Sequence, residues 1–279
     1  MNKKIIFSIV GARPHFIKAA PFMEAMKDSR YEVYTIHTGQ HYDNNMSDVF
    51  FNQLNLPIPN INLGVGSGSH ASQTARILIE VEKILIDKNP DSVVVYGDTN
   101  STLAASLAAS KLYIPVIHIE AGVRCRNKRM PEEINRVLID KLSEFLVCPS
   151  ELAVNNLLNE GQTNNVHFIG DFMYDTFCLA REKASNLNNI LDRYNLKTKQ
   201  FFLSTIHREE STSSSQKLIS VLKLFEKLDF PVLLPLHPRS MNLLKKSGYN
   251  LKLHKNLKII EPIGYLEMIY LINNAYMVI

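Results

Sequence analysis

The segment that decides the fold spans residues 114–142 and has the sequence IPVIHIEAGVRCRNKRMPEEINRVLIDKL. Its first four residues are a short apolar run, which is typical of a buried strand. A polar loop follows, and from residue 133 apolar residues recur at helical spacing, which predicts a helix over 133–146. In open α/β sheets, ligands bind where parallel strands end at their carboxyl side. The segment therefore predicts a strand–loop–helix unit with a candidate site in its loop, although a loop of solvated charges has the same composition.

The same alternation of strand and helix patterns extends from this segment in both directions. In the first half it predicts strands over 5–10, 31–38, 91–96, 114–119, 146–149 and 166–169, with helices over 16–27, 43–54, 72–88, 99–111, 133–146 and 151–159. In the second half it predicts strands over 201–205, 232–236, 257–260 and 276–279, with helices over 174–194, 216–228, 241–247 and 265–273. We therefore predict an α/β fold of two doubly wound parallel sheets, with domains 1–170 and 171–279. The second sheet is expected to be incomplete, because its last strand ends the chain.

Composition narrows the class of protein. The 279 residues are 46% hydrophobic and 21% charged, as in ordinary soluble globular proteins. A net charge of +4 is too small to indicate nucleic-acid binding. No apolar run is long enough to cross a membrane, and Arg13 stands where a secretion signal would need small residues for cleavage. The cysteines Cys125, Cys148 and Cys178 are odd in number and lack metal-ligand spacing, so we expect a reduced, cytoplasmic protein without a bound metal.

Two loops near the start of the chain are candidate ligand contacts. Residues 11–15, GARPH, connect the first strand to the first helix, and a helix N-terminus next to a glycine can bind an anion. Arg13 can contact phosphate through two N–H groups, and Lys18 lies one turn into the helix, but Arg13 is equally well explained as a surface charge. His15 is expected at the surface and is assigned no role. Residues 38–41, TGQH, follow the second strand and form either an ordinary turn or a contact loop.

Acidic residues follow the next strands of the first half. Asp98 is either the N-cap of the helix that it precedes or, beside other carboxylates, an acid or base whose pKa their charge raises. Glu120 and Glu132 are its candidate neighbours, and Glu120 directly follows an apolar strand, where buried glutamate is rare unless paired or functional. Glu133 and Arg136 lie at helical spacing and are expected to form a surface pair of small energetic worth.

The second half places two histidines at strand ends, each followed closely by an arginine. His207 and Arg208 follow the strand over 201–205, and His237 and Arg239 follow the strand over 232–236. Histidine donates hydrogen bonds to phosphate and transfers protons near neutral pH. One such histidine is more often structural than functional. The pair nevertheless favours an anion site that faces the carboxylates of the first half.

Six motifs occur in the order and with the spacing found in the non-hydrolysing UDP-N-acetylglucosamine 2-epimerases. They are GARPxFIK (11–18), TGQH (38–41), GDTNST (97–102), HIEAGVR (118–124), RMPEEINR (129–136) and TIHRE (205–209). The chain resembles that family over essentially its whole length. The resemblance implies a GT-B-like architecture, in which two Rossmann-like domains hold the UDP-sugar in a cleft and the C-terminal domain binds UDP.

The resemblance also implies a reaction and the residues that perform it. In the family, UDP is eliminated to leave a 2-acetamidoglucal and is then added back on the other face, which interconverts UDP-GlcNAc and UDP-ManNAc for surface polysaccharide synthesis. By motif, the implied catalytic residues are Asp98, Glu120, Glu132 and His207, and the implied substrate-binding residues are Arg13, Lys18 and Arg208. Positions for a second, activating UDP-sugar match Gln40, Gln73, Arg76 and His237, and Arg208 also matches one of them. No hydride moves, so no nicotinamide or other cofactor is expected.

Three other functions remain open from the sequence. The form GARP followed by Phe16 is closer to a branch that includes epimerases of UDP-2,3-diacetamido-glucuronate. Family members extend beyond residue 279 with an Asp-Ser-Gly-Gly motif and a last helix, so we also consider a truncated, inactive UDP-sugar-binding protein. A GT-B glycosyltransferase is the third alternative, and the set of Asp98, Glu120 and Glu132 argues against it. The family implies a homodimer, with neither a nucleic acid nor a membrane as partner.

Overall fold

The computed structural model describes residues 3–40, 56–206, 214–249 and 256–279. It divides the chain into two compact units, Met1–Thr176 and Phe177–Ile279. This division falls six residues after the predicted one at 170/171, within a helix rather than before it. The helix predicted over 43–54 lies outside the described residues.

The first unit contains a seven-stranded sheet in which every pair of neighbouring strands is parallel. Its strands are β1 (Lys4–Val10), β2 (Tyr31–His37), β3 (Ile61–Asn62), β4 (Ser92–Tyr96), β5 (Val116–Ile119), β6 (Phe145–Cys148) and β7 (Val166–Phe168). They lie in the order β3-β2-β1-β4-β5-β6-β7. The strands β2 and β3 lie on one side of β1, whereas β4 to β7 lie on the other. A crevice opens between β1 and β4, at the carboxyl ends of the strands, because the chain leaves these two strands in opposite directions. The predicted doubly wound sheet is confirmed, and only the two-residue edge strand β3, too short to show a pattern, was not predicted.

Six helices lie between or after these strands in the described part of the first unit. They are α1 (Arg13–Met26), α2 (His70–Lys88), α3 (Asn100–Lys111), α4 (Pro131–Leu142), α5 (Glu151–Asn159) and α6 (Phe172–Ser185), whose last residues belong to the second unit. Three begin at side-chain caps, because Ser69, Thr99 and Ser150 each accept a hydrogen bond from a backbone N–H two or three residues into the helix. Ser150 was the predicted cap of α5. Thr99 caps α3, so the alternative of Asp98 as N-cap is wrong.

The helix predicted over 133–146 differs from α4 at both ends. It begins at Pro131, whose fixed φ suits a first helical position, and Glu132 and Glu133 therefore lie in its first turn. It ends at Leu142, and the chain continues into β6 from Phe145. The apolar residues at 145 and 146 fit the helical spacing by coincidence. They belong to a strand, in which Leu146 is buried.

The core of the first unit depends on small residues in α3. Ala104, Ala105, Ala108 and Ala109 are completely buried and pack with the β-branched residues of the central strands. Because alanine side chains are short, the helix approaches the sheet closely. Buried apolar surface contributes about 25 cal/mol per Å², so this packing is the main source of the stability of the unit. The strands whose carboxyl ends carry the polar loops are therefore held rigidly by this packing.

The second unit contains a four-stranded parallel sheet in the order β10-β9-β8-β11. Its strands are β8 (Phe202–Leu203), β9 (Val232–Pro235), β10 (Leu257–Ile260) and β11 (Met277–Val278), and its further helices are α7 (Ile190–Arg193), α8 (Ser215–Phe225), α9 (Pro238–Lys246) and α10 (Tyr265–Asn274). The single helix predicted over 174–194 is wrong. Asn189 adopts a left-handed conformation with φ of 65° and separates α6 from α7.

Among the described residues, no helix has both the length and the apolar character needed to cross a membrane.

Candidate active site

The candidate site lies at the carboxyl ends of β4 and β5, around Gly97. The ammonium group of Lys18, from α1, forms an ion pair with the carboxylate of Glu120, from the loop after β5. A Cβ placed on Gly97 would lie 3.2 Å from Lys18 Nζ and 3.3 Å from Glu120 Oε2, so both charged groups lie directly beside this glycine. Gly97 has a φ of 60°, a conformation that favours glycine. The loop therefore brings two predicted site residues together beside Asp98.

Asp98 is held by two consecutive residues of α4. Its carboxylate forms an ion pair with Arg136, and its backbone carbonyl accepts a hydrogen bond of 2.9 Å from the side-chain amide of Asn135. The Asp98 side chain keeps 29% of its surface exposed, against 13% for Arg136. Asp98 is therefore held in place by α4 and remains partly exposed to solvent, which is the arrangement that a reacting acid or base needs.

Glu132 differs from the other two predicted carboxylates. It is half-buried in the first turn of α4, three and four residues before the Asn135 and Arg136 that hold Asp98. Within the described ranges its carboxylate has neither an ion-pair partner nor a hydrogen-bond donor. Two of the predicted carboxylates thus have a cation each, whereas Glu132 lies at the favourable end of a helix dipole, and its role in the site stays a prediction.

Glu133, which was expected to form a surface pair with Arg136, is instead buried. One of its oxygens lies 3.2 Å from Arg136 Nη1, and the carboxylate accepts hydrogen bonds from the backbone N–H groups of Cys125 (3.0 Å) and Arg126 (2.6 Å). Burial by itself would raise the pKa of Glu133, but these hydrogen bonds and the charge of Arg136 outweigh it and lower the pKa. The surface-pair prediction is wrong because the loop over 125–130 folds back over this side chain.

The loop after β1 is built differently from the predicted anion site. The N–H of Gly11 donates to Nδ1 of His15 at 3.1 Å, and a Cβ on Gly11 would lie 2.2 Å from the Ser101 hydroxyl and 2.3 Å from that of Thr38. Glycine is needed there because side chains, rather than a ligand, occupy the space. His15 is 1% exposed, so its expected surface position is wrong. Arg13 is exposed at the first residue of α1, and its phosphate contact stays a prediction.

Three of the residues matched to a second UDP-sugar site, Gln40, Gln73 and Arg76, make hydrogen bonds within the first unit. Gln40 accepts from the backbone N–H of Ser101 at 3.0 Å. Gln73 donates to the carbonyl of Gly66 at 2.9 Å, and Arg76 donates to the carbonyl of Val65 at 2.8 Å. The bonds of Gln73 and Arg76 hold the glycine-containing loop over 64–68 against α2, and the bond of Gln40 holds residue 40 against the start of α3. A second ligand would have to compete with them, and the role of these residues in binding one stays a prediction.

The predicted residues of the second unit are described only in part. His237 is exposed and serves as the N-cap of α9, where its Nδ1 accepts from the N–H of Arg239 at 3.2 Å. This capping is the structural role that the sequence left open. His41, His207 and Arg208 lie outside the described residues, so their contacts stay predictions.

A buried charged group behind the candidate site was not predicted from the sequence. His118 and Asp140 are both completely buried and 2.7 Å apart, and Arg124 is bound to Asp140 at 2.7 Å with its side chain 3% exposed. Asp140 directly follows Ile139 on the buried face of α4. This position in the helical pattern was the sequence feature that could have predicted its burial. A charged residue on a buried face needs a partner, which the neighbouring strand supplies.

The two Rossmann-like parallel sheets and the carboxylates at the edge of the first define a GT-B-like α/β enzyme whose site is suited to proton transfer. The family described as UDP-N-acetylglucosamine 2-epimerase matches residues 23–279. The chain belongs to this family of isomerases, as the sequence motifs indicated.

Individual relatives agree with this assignment. The chain is 46% identical over 273 residues to a UDP-N-acetylglucosamine 2-epimerase homolog of Methanococcus maripaludis, covering 97% of this chain and 76% of that protein. It is 41% identical over 281 residues to the UDP-2,3-diacetamido-2,3-dideoxy-D-glucuronate 2-epimerase of Pseudomonas aeruginosa, covering 98% of this chain and 77% of that protein. The crystal structure of Methanocaldococcus jannaschii UDP-GlcNAc 2-epimerase in complex with UDP-GlcNAc and UDP has a TM-score of 0.85 and 41% identity, covering 98% of this chain and 78% of that chain.

Proposed function

We propose that this protein interconverts UDP-GlcNAc and UDP-ManNAc by eliminating and re-adding UDP, as a step in the synthesis of polysaccharide precursors. The observation that carries the proposal is the set of carboxylates at the ends of β4 and β5. Asp98 and Glu120 are each paired with a cation, and Glu132 stands on the helix that holds Asp98. Family membership and the UDP-GlcNAc bound to the M. jannaschii relative support the substrate.

The reaction requires a base, an acid and stabilisation of a leaving diphosphate. In the first step a carboxylate takes the proton from C2, the electron pair of that bond forms the C1–C2 double bond, and the C1–oxygen bond breaks to release UDP. In the second step a proton is added to C2 on the opposite face, and a diphosphate oxygen bonds to C1. Protonated and ionised carboxylates must therefore be available to both faces of the sugar.

We assign roles from the cations that each carboxylate has. Asp98 is proposed to accept the C2 proton, because Arg136 holds its carboxylate at the end of β4. Glu132 lacks such a cation among the described residues, so it is free to carry the proton that is delivered in the second step. The Lys18 ammonium group lies beside Gly97 at the site, where its ion pair with Glu120 holds it, and it can stabilise the departing diphosphate. Arg13, His207 and Arg208 are proposed to bind the diphosphate on the basis of residue type and motif.

We also propose that the protein is cytoplasmic and forms a homodimer. Its three cysteines, Cys125, Cys148 and Cys178, are free thiols, which suits a reducing compartment. Large apolar side chains are exposed on the first unit, including Ile79 and Ile86 on α2 and Ile134 and Leu138 on α4, and a second copy would cover them. Light scattering on the purified protein tests the dimer, and a monomeric mass at micromolar concentration would contradict it.

One assay tests the reaction and separates it from the alternatives. The protein is incubated with UDP-GlcNAc in deuterated water, and the sugar is analysed by NMR. Formation of UDP-ManNAc with deuterium at C2 is expected. Binding of UDP-GlcNAc without exchange would indicate an inactive binding protein, and transfer of the sugar to an acceptor would indicate a glycosyltransferase.

Glu120→Gln provides the matched loss-of-function variant. It keeps the shape of the side chain but removes the charge that pairs with Lys18, and exchange is expected to fall by a factor of about 10²–10⁴. Glu24→Gln, on the exposed face of α1, is the control and should leave exchange unchanged. Retained exchange in Glu120→Gln would remove this residue from the mechanism.

The similarity to one relative favours a diacetamido sugar nucleotide as a second candidate substrate. The Pseudomonas aeruginosa relative, which is 41% identical over 98% of this chain, is a UDP-2,3-diacetamido-2,3-dideoxy-D-glucuronate 2-epimerase. The same assay with that nucleotide sugar gives a second kcat/KM. A value at least tenfold above that for UDP-GlcNAc would make the diacetamido sugar the true substrate of the same chemistry.

A further inference from the structure

Directly behind the candidate site, three charged residues lie away from solvent. His118 is on β5, Asp140 is on α4 and Arg124 is in the loop that follows β5, and their side chains are 0%, 0% and 3% exposed. Removing charges from water is costly, and a buried group of this kind persists where its members are paired and hydrogen-bonded. The group is bonded to the backbone of Gly97 and to that of Gly122, two residues after Glu120, so it can hold both loops in place.

His118 connects two structural elements through its two ring nitrogens. Nε2 lies 2.7 Å from the carbonyl oxygen of Gly97, and Nδ1 lies 2.7 Å from Oδ1 of Asp140. A carbonyl oxygen can only accept a hydrogen bond, so Nε2 donates to Gly97. Burial alone would raise the pKa of Asp140, but hydrogen bonds and charges from His118 and Arg124 outweigh burial and lower the pKa. His118 therefore bridges the loop after β4 to α4.

The other oxygen of Asp140 holds the loop that contains Glu120. It accepts from the backbone N–H of Gly122 at 3.1 Å and from Arg124 Nη1 at 2.7 Å. Glu120 itself has a φ of 77°, a left-handed conformation that a residue with a side chain adopts only when its surroundings impose it. Contacts with residues on both sides of Glu120, at 118 and at 122, supply that constraint.

The Gly97 peptide is fixed from the same strand. Its N–H donates to the carbonyl of Ile119 at 3.0 Å, and its carbonyl accepts from His118 at 2.7 Å. With its N–H and its carbonyl both bound to β5, the backbone of Gly97, which leads into Asp98, has a single orientation. One histidine thus contacts the loop of Asp98 directly and, through Asp140, the loop of Glu120.

We infer that His118 is a positioning residue, which sets the spacing of the Asp98 and Glu120 carboxylates through its bond to the Gly97 carbonyl, while its bond to Asp140 orients the ring. The inference rests on the proposed epimerase function of that site. His118 is completely buried and its bonds are all internal, so it acts on the reaction only through the groups that it holds. A carboxylate displaced by about 1 Å loses a factor on the order of 10² in rate, whereas binding of the nucleotide depends on other residues. Loss of the Gly97 bond should therefore lower kcat and leave KM nearly unchanged.

Two amide substitutions separate the two bonds of His118. The amide nitrogen of asparagine takes the place of Nδ1, so His118→Asn keeps a donor to Asp140 and loses the donor to Gly97. The amide nitrogen of glutamine takes the place of Nε2, so His118→Gln keeps the donor to Gly97. The variants are assayed for UDP-GlcNAc epimerisation, with thermal unfolding measured in parallel.

We expect His118→Asn to lower kcat at least tenfold with KM within about threefold of the wild-type value, and His118→Gln to restore kcat to within about threefold. Equal kcat in His118→Asn and wild type would overturn the inference. So would equal loss in both variants accompanied by lower unfolding temperatures, which is the result of a merely structural role. If His118→Asn does not fold, His118→Gln decides alone, and a folded His118→Gln protein with a tenfold lower kcat would contradict the inference. A wild-type protein without exchange would instead refute the proposed function.

Discussion

Two layers of paired charges lie one behind the other at the carboxyl edge of the first sheet. The front layer consists of the pairs Lys18–Glu120 and Asp98–Arg136, whose carboxylates remain about one-third exposed. The rear layer consists of His118, Asp140 and Arg124, which are almost completely buried. The residue types are the same, but access to water differs. The comparison teaches that burial, rather than the presence of a charge pair, decides which carboxylates can react and which serve as supports.

The physical reason is the cost of changing charge in each layer. A carboxylate that is about one-third exposed can gain or lose a proton, because water and the substrate solvate both forms. Neutralising the completely buried Asp140 leaves His118 without its carboxylate partner and leaves Arg124 with Glu160 alone. Substitutions of the carboxylates in the two layers should therefore differ in kind: in the front layer they should affect rate, and at Asp140 in the rear layer they should affect stability.

The largest effect is expected in the front layer, on rate. Asp98→Asn removes the proposed base while keeping its size, so C2 deuterium exchange should fall by a factor of about 10²–10⁴ and the unfolding temperature should change little. The NMR exchange assay and a thermal melt measure the two quantities. Asp87→Asn, at the exposed end of α2, is the matched control. Strong destabilisation without a separate loss of rate would show that the two layers are not distinct.

The next effect is expected in the rear layer, on stability. Asp140→Ala leaves the buried ring of His118 without its carboxylate partner and leaves Arg124 with Glu160 as its remaining partner. Breaking a buried pair in this way costs about 3–5 kcal/mol of the free energy of unfolding, measurable by urea denaturation. A loss below about 1 kcal/mol would mean that water reaches this group and that the description of it as buried is wrong.

A smaller effect concerns the response to acid. Because the pKa of Asp140 is lower in the folded protein than the value of about 3.9 in an unfolded chain, its contribution is fully present above about pH 4 and is lost as pH falls through the folded pKa. Asp140→Asn should therefore reduce the slope of unfolding free energy against pH between about pH 4 and 2. Urea denaturation at a series of pH values measures the slope, and an unchanged slope would show that Asp140 does not bind a proton on unfolding.

The smallest effect is expected at an exposed pair on the same unit. Glu80 and Lys83 lie 2.8 Å apart on α2 with side chains 44% and 64% exposed. Glu80→Gln should change the free energy of unfolding by less than about 1 kcal/mol, because solvent screens such pairs. The same urea experiment as for Asp140→Ala applies. A change as large as that of Asp140→Ala would remove burial as the explanation of the difference.

Much of the fold and part of the site could be predicted from the sequence. Continuous apolar runs such as 5–10 and 91–96 predicted strands of a parallel sheet, because both faces of such strands are buried. Errors occurred where a pattern crossed an element boundary, as at Leu142, or where a left-handed residue such as Asn189 divided a helix. The burial of Glu133 was missed because the loop that covers it has no regular pattern.

The amino-acid sequence by itself determined the α/β class, the order of strands and helices, and the strand ends that carry Asp98 and Glu120, because hydrophobic periodicity and turn residues are local properties. The tertiary structure decided the partners. Lys18 and Glu120 are 102 positions apart, Asp98 and Arg136 are 38 apart, and only folding brings either pair together. Burial is likewise set by packing from all sides, so the structure alone distinguishes Asp140, a support, from Asp98, an open carboxylate of the same residue type.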